Sequence, residues 1–164
     1  MKQLVAITLA LSTIAFPAFA QNQSQIDGVM AGKKSCAGCN LFQAALMNQD
    51  LSRKNFSGAR LRQSDLSLAT LDYSNLAGVD LSIANLYGVR ATGANFSRAN
   101  LERASLVGAY FSGANFARAN LNGANISGAE LGRARGLTQA QLNGACGDEA
   151  TELPRGLHVR SCVQ

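Results

Sequence analysis

From position 41 to position 131 every fifth residue is large and apolar with one exception, and no insertion shifts the register. Of these nineteen positions thirteen are Leu, four are Phe (Phe56, Phe96, Phe111, Phe116), one is Ile126, and only Ala91 breaks the row. If such a position is labelled i, residue i−2 is Ala in twelve of the nineteen units. The residue between is often Asn or Asp, as in Ala94-Asn95-Phe96 and Ala119-Asn120-Leu121. A helical face recurs every 3.6 residues and a half-buried strand alternates every two, so a period of five fits neither. A repeat this long decides the architecture before any single element is considered.

A period of five is satisfied if i−2 and i point inward while i−1, i+1 and i+2 point outward, with the chain turning a corner between units. Small residues are then required at i−2, where the chain bends tightly, and Leu or Phe at i fills the interior to close-packed density. Gly and Ser at the corner positions, as in Ser57-Gly58, Ser112-Gly113 and Ser127-Gly128, suit turns.

The Ala-(Asp/Asn)-Leu-x-x pattern resembles the pentapeptide-repeat family over residues 39–133. The resemblance implies an all-β fold, a right-handed quadrilateral β-helix with four units and twenty residues in each coil. Residues twenty apart should then stack. Asn55, Asn75, Asn95 and Asn115 would form a ladder of side-chain amides along one face. Ala91 would be filled around by neighbours, Phe111 standing one coil above it. Gln49 and Lys54, polar at inward sites, fall in the first coil, where an end site can stay wet or be covered by the preceding segment.

The two ends have their own signatures. Residues 1–20 read as a secretory signal: Lys2, an apolar stretch, and Ala18-Phe19-Ala20 before Gln21. Removing it takes one Lys from the formal +5, leaving +4. No later stretch is apolar for long enough to span a bilayer. A stacked solenoid needs its ends covered. Residues 21–38, with Ile26, Val29 and Met30, are expected to form an N-terminal cap, residues 39–133 the solenoid, and residues 134–164 a C-terminal cap with a short α-helix over 138–143. Thr138 and Gln141 are in capping-box spacing there. From Gly147 onward the repeat pattern is lost.

Four cysteines, Cys36, Cys39, Cys146 and Cys162, all follow the signal, and an even count in an exported chain points to disulfides. Four cysteines allow three pairings. Given the rod that the resemblance implies, Cys36 with Cys39 and Cys146 with Cys162 is favoured, because the two pairs lie at opposite ends. The alternative function for Cys36-x-x-Cys39 is a redox dithiol, which needs a thioredoxin-like βαβ setting that the sequence lacks. A zinc site using that pair with His158 would lack a fourth ligand.

Catalytic groups are sparse. His158 is the single histidine, the acids are dispersed, and there is no Gly-rich phosphate loop followed by Lys. The expectation is a non-enzymatic structural or interaction scaffold of the bacterial envelope, periplasmic or secreted, with no cofactor and no metal, its partner an envelope protein or glycan. Arg98, Arg103 and Arg118 form the candidate binding strip. A second outward patch is apolar: Met47, Tyr87 and Val107 share one column, with Leu68 and Tyr73 beside it. Nucleic acid is not expected as a partner. A more remote alternative, the DNA mimicry known in this family, requires an acidic cytoplasmic rod, whereas this chain is basic.

Overall fold

The computed structural model describes residues 21–162. The expected signal at residues 1–20 lies outside the described residues. The repeat folds as a four-sided coil in which each i−1 residue forms a parallel bridge with the residue twenty later. Sides are numbered by their i−1 residues. Side one carries Ser35, Asn55, Asn75, Asn95, Asn115 and Arg135; side two Asn40, Arg60, Asp80, Asn100 and Asn120. Side three runs from Ala45 through Asp65, Asn85 and Ser105 to Asn125, and side four carries Asp50, Thr70, Arg90, Tyr110 and Glu130. Coils are counted from residue 36, the first ending at residue 55 and the fifth at 135.

The backbone bonds explain the period. In the units away from the two ends the N–H of residue i donates one coil up (as Leu41 does to the Arg60 carbonyl, 2.8 Å) and that of i−1 donates one coil down (Arg60 to Cys39, 2.8 Å). The N–H of i+2 also donates up (Gln43 to Arg62, 3.0 Å), and that of i+3 closes the corner onto carbonyl i (Ala44 to Leu41, 3.1 Å). Only the i+1 N–H is left over. Wherever i−1 is Asn or Asp from Asn40 to Asn125, its side-chain oxygen accepts that donor, as in Ser57 to Asn55 at 3.0 Å and Ser67 to Asp65 at 2.9 Å. The Asn/Asp preference at i−1 is thus an Asx turn that completes the backbone bonding of every unit it occupies.

From Gln43 to Gly128 residue i+2 of each corner has positive φ while i+1 does not, the sign pattern of a type II turn. Gly fills it at Gly58 and Gly78, but Leu68, Tyr73 and Ile83 hold it at φ 57 to 59°. For β-branched Ile83 this is an outlier.

The interior is a single column of the i and i−2 side chains, all but a few under 4% exposed. The buried serines are satisfied: Ser64 and Ser74 at i−2 donate to the corner carbonyls of Leu61 (2.6 Å) and Leu71 (2.7 Å). Ala91 is fully buried, and an aromatic cluster stands next to it in the repeat. Phe111, one coil above, meets Phe96 edge-on at 5.6 Å, and Phe96 stacks on Phe116 at 5.1 Å. The amide ladder is present: Asn75 donates to Asn55, Asn95 to Asn75 and Asn115 to Asn95 at 3.2 to 3.3 Å. Shorter ladders start from acids, Asn85 on Asp65 and Asn120 on Asn100 on Asp80.

The first coil is covered by helix α1 (Gln23–Met30), capped by Asn22. Its Ile26 and Val29 are buried, three apart on one face, but Met30, the last residue of the helix, is 46% exposed although it stands four residues after Ile26. The expectation that Met30 helps to cover the coil is corrected accordingly. Gln25 Oε1 accepts the Asn40 N–H (2.6 Å), and Lys54 Nζ donates to the Lys33 carbonyl at 2.9 Å, so the preceding segment does cover that polar inward site.

At the other end the bridge ladder continues past the point where the repeat pattern stops. Helix α2 (Gln139–Leu142) is followed by strand β1 (Cys146–Gly147), on which strand β2 (Arg160–Ser161) lies parallel. Asn125 bridges Cys146 and Glu130 bridges Glu152, spacings of 21 and 22 in place of 20. Side three therefore has seven layers from Ala45 to Arg160, about 29 Å at a strand-like spacing.

Candidate functional site

The filled interior leaves chemistry to the outward residues and the ends. Among the described residues no buried side-chain nitrogen or oxygen lacks a hydrogen bond, and no three His, Cys, Asp or Glu side chains converge as a metal site would require. No helix there is long and apolar enough to cross a membrane.

The candidate basic strip sits on two corners. Arg98 and Arg118 occupy the same i+2 position one coil apart, at φ 58 and 60°, so both side chains leave the rod from the corner between sides one and two. Ser97, Arg98, Ala117 and Arg118 line a shallow trough there. Arg103 belongs to the next corner, where its stem lies along the rod: a Cβ on Gly123 would come within 3.0 Å of Arg103 Cγ. All three guanidinium groups are exposed, but Arg103 is displaced from the other two by a full side, so the strip is a pair with an outlier.

The cysteines lie at the two ends. Cys36 is bonded to Cys39 and Cys146 to Cys162. Cys36 and Cys39 are 3% and 6% exposed, and exchange requires a thiolate to reach a sulfur, so their burial opposes the redox alternative. Cys162 is the residue after β2, and its bond ties that strand to β1.

The C-terminal segment is further attached by side chains. The α2 capping box between Thr138 and Gln141 is formed, and Gln141 Nε2 donates to the Phe116 and Ala119 carbonyls, both at 2.9 Å. Asp148 accepts from the Gly128 N–H at 2.8 Å and from the hydroxyl of Thr151 at 3.0 Å. The Gly128 N–H, helped by Thr151 and Ala150, holds the Asp148 carboxyl below the ordinary carboxylate range. The hydroxyl and N–H of Ser52 do the same for Asp50. His158 is placed beside Gln139, which pairs with its backbone at both N–H and carbonyl, in a hollow against α2. Both of these bonds are made by the His158 backbone, which is a structural role.

The apolar residues named from sequence are brought together by stacking. Met47, Leu68 and Tyr87 lie on the corner between sides three and four, and Tyr73 on the corner between sides four and one. Tyr110, on side four itself, belongs with them and was missed by sequence reasoning. Its signal is the count of twenty that places it above Arg90.

The family model for pentapeptide repeats matches in eight copies over residues 39–72, 64–103 and 94–133. Among solved structures, a pentapeptide repeat protein of the Arabidopsis thaliana thylakoid lumen is 30% identical, covering 65% of this chain and 83% of that one, with a TM-score of 0.37. The protein Rfr23 from the cyanobacterium Cyanothece 51142 is 27% identical, covering 80% and 99%, with a TM-score of 0.43. A pentapeptide repeat protein from Nostoc PCC 7120 is 25% identical, covering 84% and 88%, with a TM-score of 0.38. No curated protein matches the sequence.

Proposed function

Because the chain belongs to the pentapeptide-repeat family, whose members fold as right-handed quadrilateral β-helices, we propose that it is an exported, non-enzymatic interaction scaffold of the bacterial envelope. Pentapeptide-repeat proteins are generally structural or interaction proteins. The observation that carries the proposal for this chain is the combination of a filled interior with a disulfide at each end of the rod. A filled interior leaves no enclosed site for a reaction, and paired cysteines belong to an oxidising compartment. In this reading residues 1–20 are a signal peptide, 21–38 and 134–164 are end caps, the latter with a short helix, and 39–133 are the solenoid that presents the outward residues. The net positive charge argues against DNA mimicry.

Arg98, Arg118 and, to a lesser degree, Arg103 are the proposed contacts for an acidic envelope protein or glycan. The test is capture of partners from envelope extract by the wild-type protein and by a variant with Arg98→Glu, Arg103→Glu and Arg118→Glu. A partner lost on reversal supports the strip, and capture unchanged by the reversal removes it. Retention in the cytosol after deletion of residues 1–20, with export of the full chain, tests the compartment.

A further inference from the structure

Charge is spread unevenly over the four sides of the rod. The units of side one (34–38, 54–58, 74–78, 94–98 and 114–118) and Arg135, which bridges Asn115, contain Lys34, Lys54, Arg98, Arg118 and Arg135 and no acid. These five positive groups exceed the formal +4 of the chain beyond residue 20, so the rest of that chain is net negative. Arg53 and Arg133 add to them at the corner between sides four and one. The one acid at that corner, Asp72, is already held by Arg90 at 2.7 Å.

The amide ladder on the same side has a fixed polarity. Asn55, Asn75 and Asn95 each accept two hydrogen bonds at Oδ1, one from the Asn a coil above and one from the N–H two residues on. For Asn75 these come from Asn95 and Ala77, both at 3.2 Å. Both lone pairs of each oxygen are therefore taken. An amide nitrogen carries two hydrogens, and the ladder uses one of those on Asn75, Asn95 and Asn115 and neither on Asn55. The remaining hydrogens have no acceptor among the described residues. Side one thus offers a column of N–H donors about 4.8 Å apart, one to each coil. It is also flat. Its outward i+1 residues are Ser57, Ala77, Ser97 and Ala117, and a Cβ on Gly58 or Gly78 would meet nothing within 4 Å. Arg98 and Arg118 rise from its edge beside the trough that they line.

We propose that side one binds a linear polyanionic glycan of the uronic-acid type, laid along the rod so that successive sugar rings meet successive amide rungs. Ring hydroxyl and carboxylate oxygens accept from the free amide N–H groups, and carboxylates pair with Arg98 and Arg118. The inference rests on the reading of that arginine pair as a contact for an acidic ligand, and it adds the ladder and the chemistry of the ligand.

Three features select this occupant. The face is positive, and its ladder has donors to offer and no free acceptor, so the ligand has to supply acceptors throughout. The donors recur at one fixed rise, which a polymer with a repeat of its own can follow and the scattered carboxylates of a folded protein cannot. An acidic peptide lying extended presents same-side carboxylates about 6.7 Å apart, out of step with rungs about 4.8 Å apart. An extended pyranose chain advances by close to the height of one rung with every ring. No aromatic side chain stands outward in these units, so the stacking platform used by single-stranded nucleic acid is missing.

Isothermal titration calorimetry of the full chain with polymannuronate, and with poly-L-glutamate of equal charge, tests this. Polymannuronate should bind about tenfold tighter than poly-L-glutamate, and Arg98→Glu with Arg118→Glu should weaken it by about tenfold or more. Asn55→Asp is the decisive variant. Asp65 already accepts both the turn N–H of Ser67 and the amide of Asn85, so a carboxylate at position 55 can keep both bonds that Asn55 accepts. It removes the free donors and sets a negative charge on the face, and should weaken polymannuronate by about threefold or more. Asn48→Asp, in the same coil at the opposite corner, should leave the affinity as it is. Equal affinity for the two polymers overturns the proposal, as does tighter binding of single-stranded DNA. Wild-type affinity in Asn55→Asp also overturns it, yet leaves the arginine pair standing if the double reversal still weakens binding. Envelope partners captured through Arg98 and Arg118 by a protein that does not bind polymannuronate likewise overturn this inference and leave the earlier reading intact.

Discussion

Asp72 and Arg90, eighteen residues apart, are joined at 2.7 Å through Asp72 Oδ2, while Asp72 Oδ1 accepts the Thr92 N–H at 2.9 Å. Thr92 is the i+1 residue of the unit whose i−1 position is Arg90, and an Asn at 90 would have taken that donor in an Asx turn. Asp72 therefore supplies from the coil below what Arg90 cannot supply within its own unit.

Asp72→Ala should cost about 1–2 kcal/mol, chiefly from the half-buried Thr92 N–H left unpaired, since the ion pair with a 60% exposed Arg90 side chain adds little. In an Arg90→Asn background the same substitution should cost well under half of that. Urea denaturation of the four proteins of this cycle measures the difference, and equal costs in both backgrounds would refute the substitution of one acceptor for the other.

Ala91→Leu restores the majority residue of the row yet should destabilise the rod by about 1–3 kcal/mol, because Ala91 is already fully buried in a column that holds the Phe96, Phe111 and Phe116 cluster. A thermal midpoint that rises would show that a void exists there.

What could be read before the structure follows from how strictly each position is constrained. The inward residues, the Asn55 to Asn115 ladder and the Thr138–Gln141 cap are local or strictly periodic and were legible. The role of Asn and Asp at i−1 was half legible: stacking was foreseen, but the turn bond to i+1 depends on knowing which backbone donor the ladder omits. The continuation beyond Leu131 was hidden because Asn125–Cys146 and Glu130–Glu152 are 21 and 22 apart, with α2 looped out between. The exposed face was only partly legible, since Tyr110 follows an Ala109 that looks like any other repeat unit.

Ile83 holds φ 59° at a corner where Asn or Gly would be unstrained. Ile83→Asn should stabilise the protein by about 0.5–1 kcal/mol, less than the full left-handed penalty because some apolar contact is lost. Denaturant midpoints of the variant and wild type decide it, and a lower midpoint means that Ile83 has a packing role the backbone strain conceals.

Acid should loosen the C-terminal segment first. The Asp148 carboxyl is held below its ordinary value in the folded state, so its contribution is complete above the unfolded-state value and is lost as the pH falls through the lower folded-state one. Amide exchange at Gly128 and Thr151 should therefore rise, relative to the intrinsic rate, below about pH 4. Asp148→Asn should flatten that dependence.

Cys146→Ala with Cys162→Ala should lower stability by about 3 kcal/mol on the loop-entropy estimate for the 16-residue separation, with β2 released from β1. Loss of protection confined to residues beyond 145 is the expected exchange pattern. Loss spread through the first coils would mean that the ends are coupled.

The central claim is that twenty residues are one coil, an interchangeable layer whose inward positions specify the rod and whose outward positions are free for function. Deleting residues 56–75 tests it most directly, because it joins Asn55 to Leu76 in phase and leaves the phenylalanine cluster intact. A folded, cooperatively melting rod shorter by about 5 Å in X-ray scattering is expected, while deletion of residues 56–73, which breaks the phase, should not fold. An unfolded product from the first deletion, or equal tolerance of both, would contradict the account.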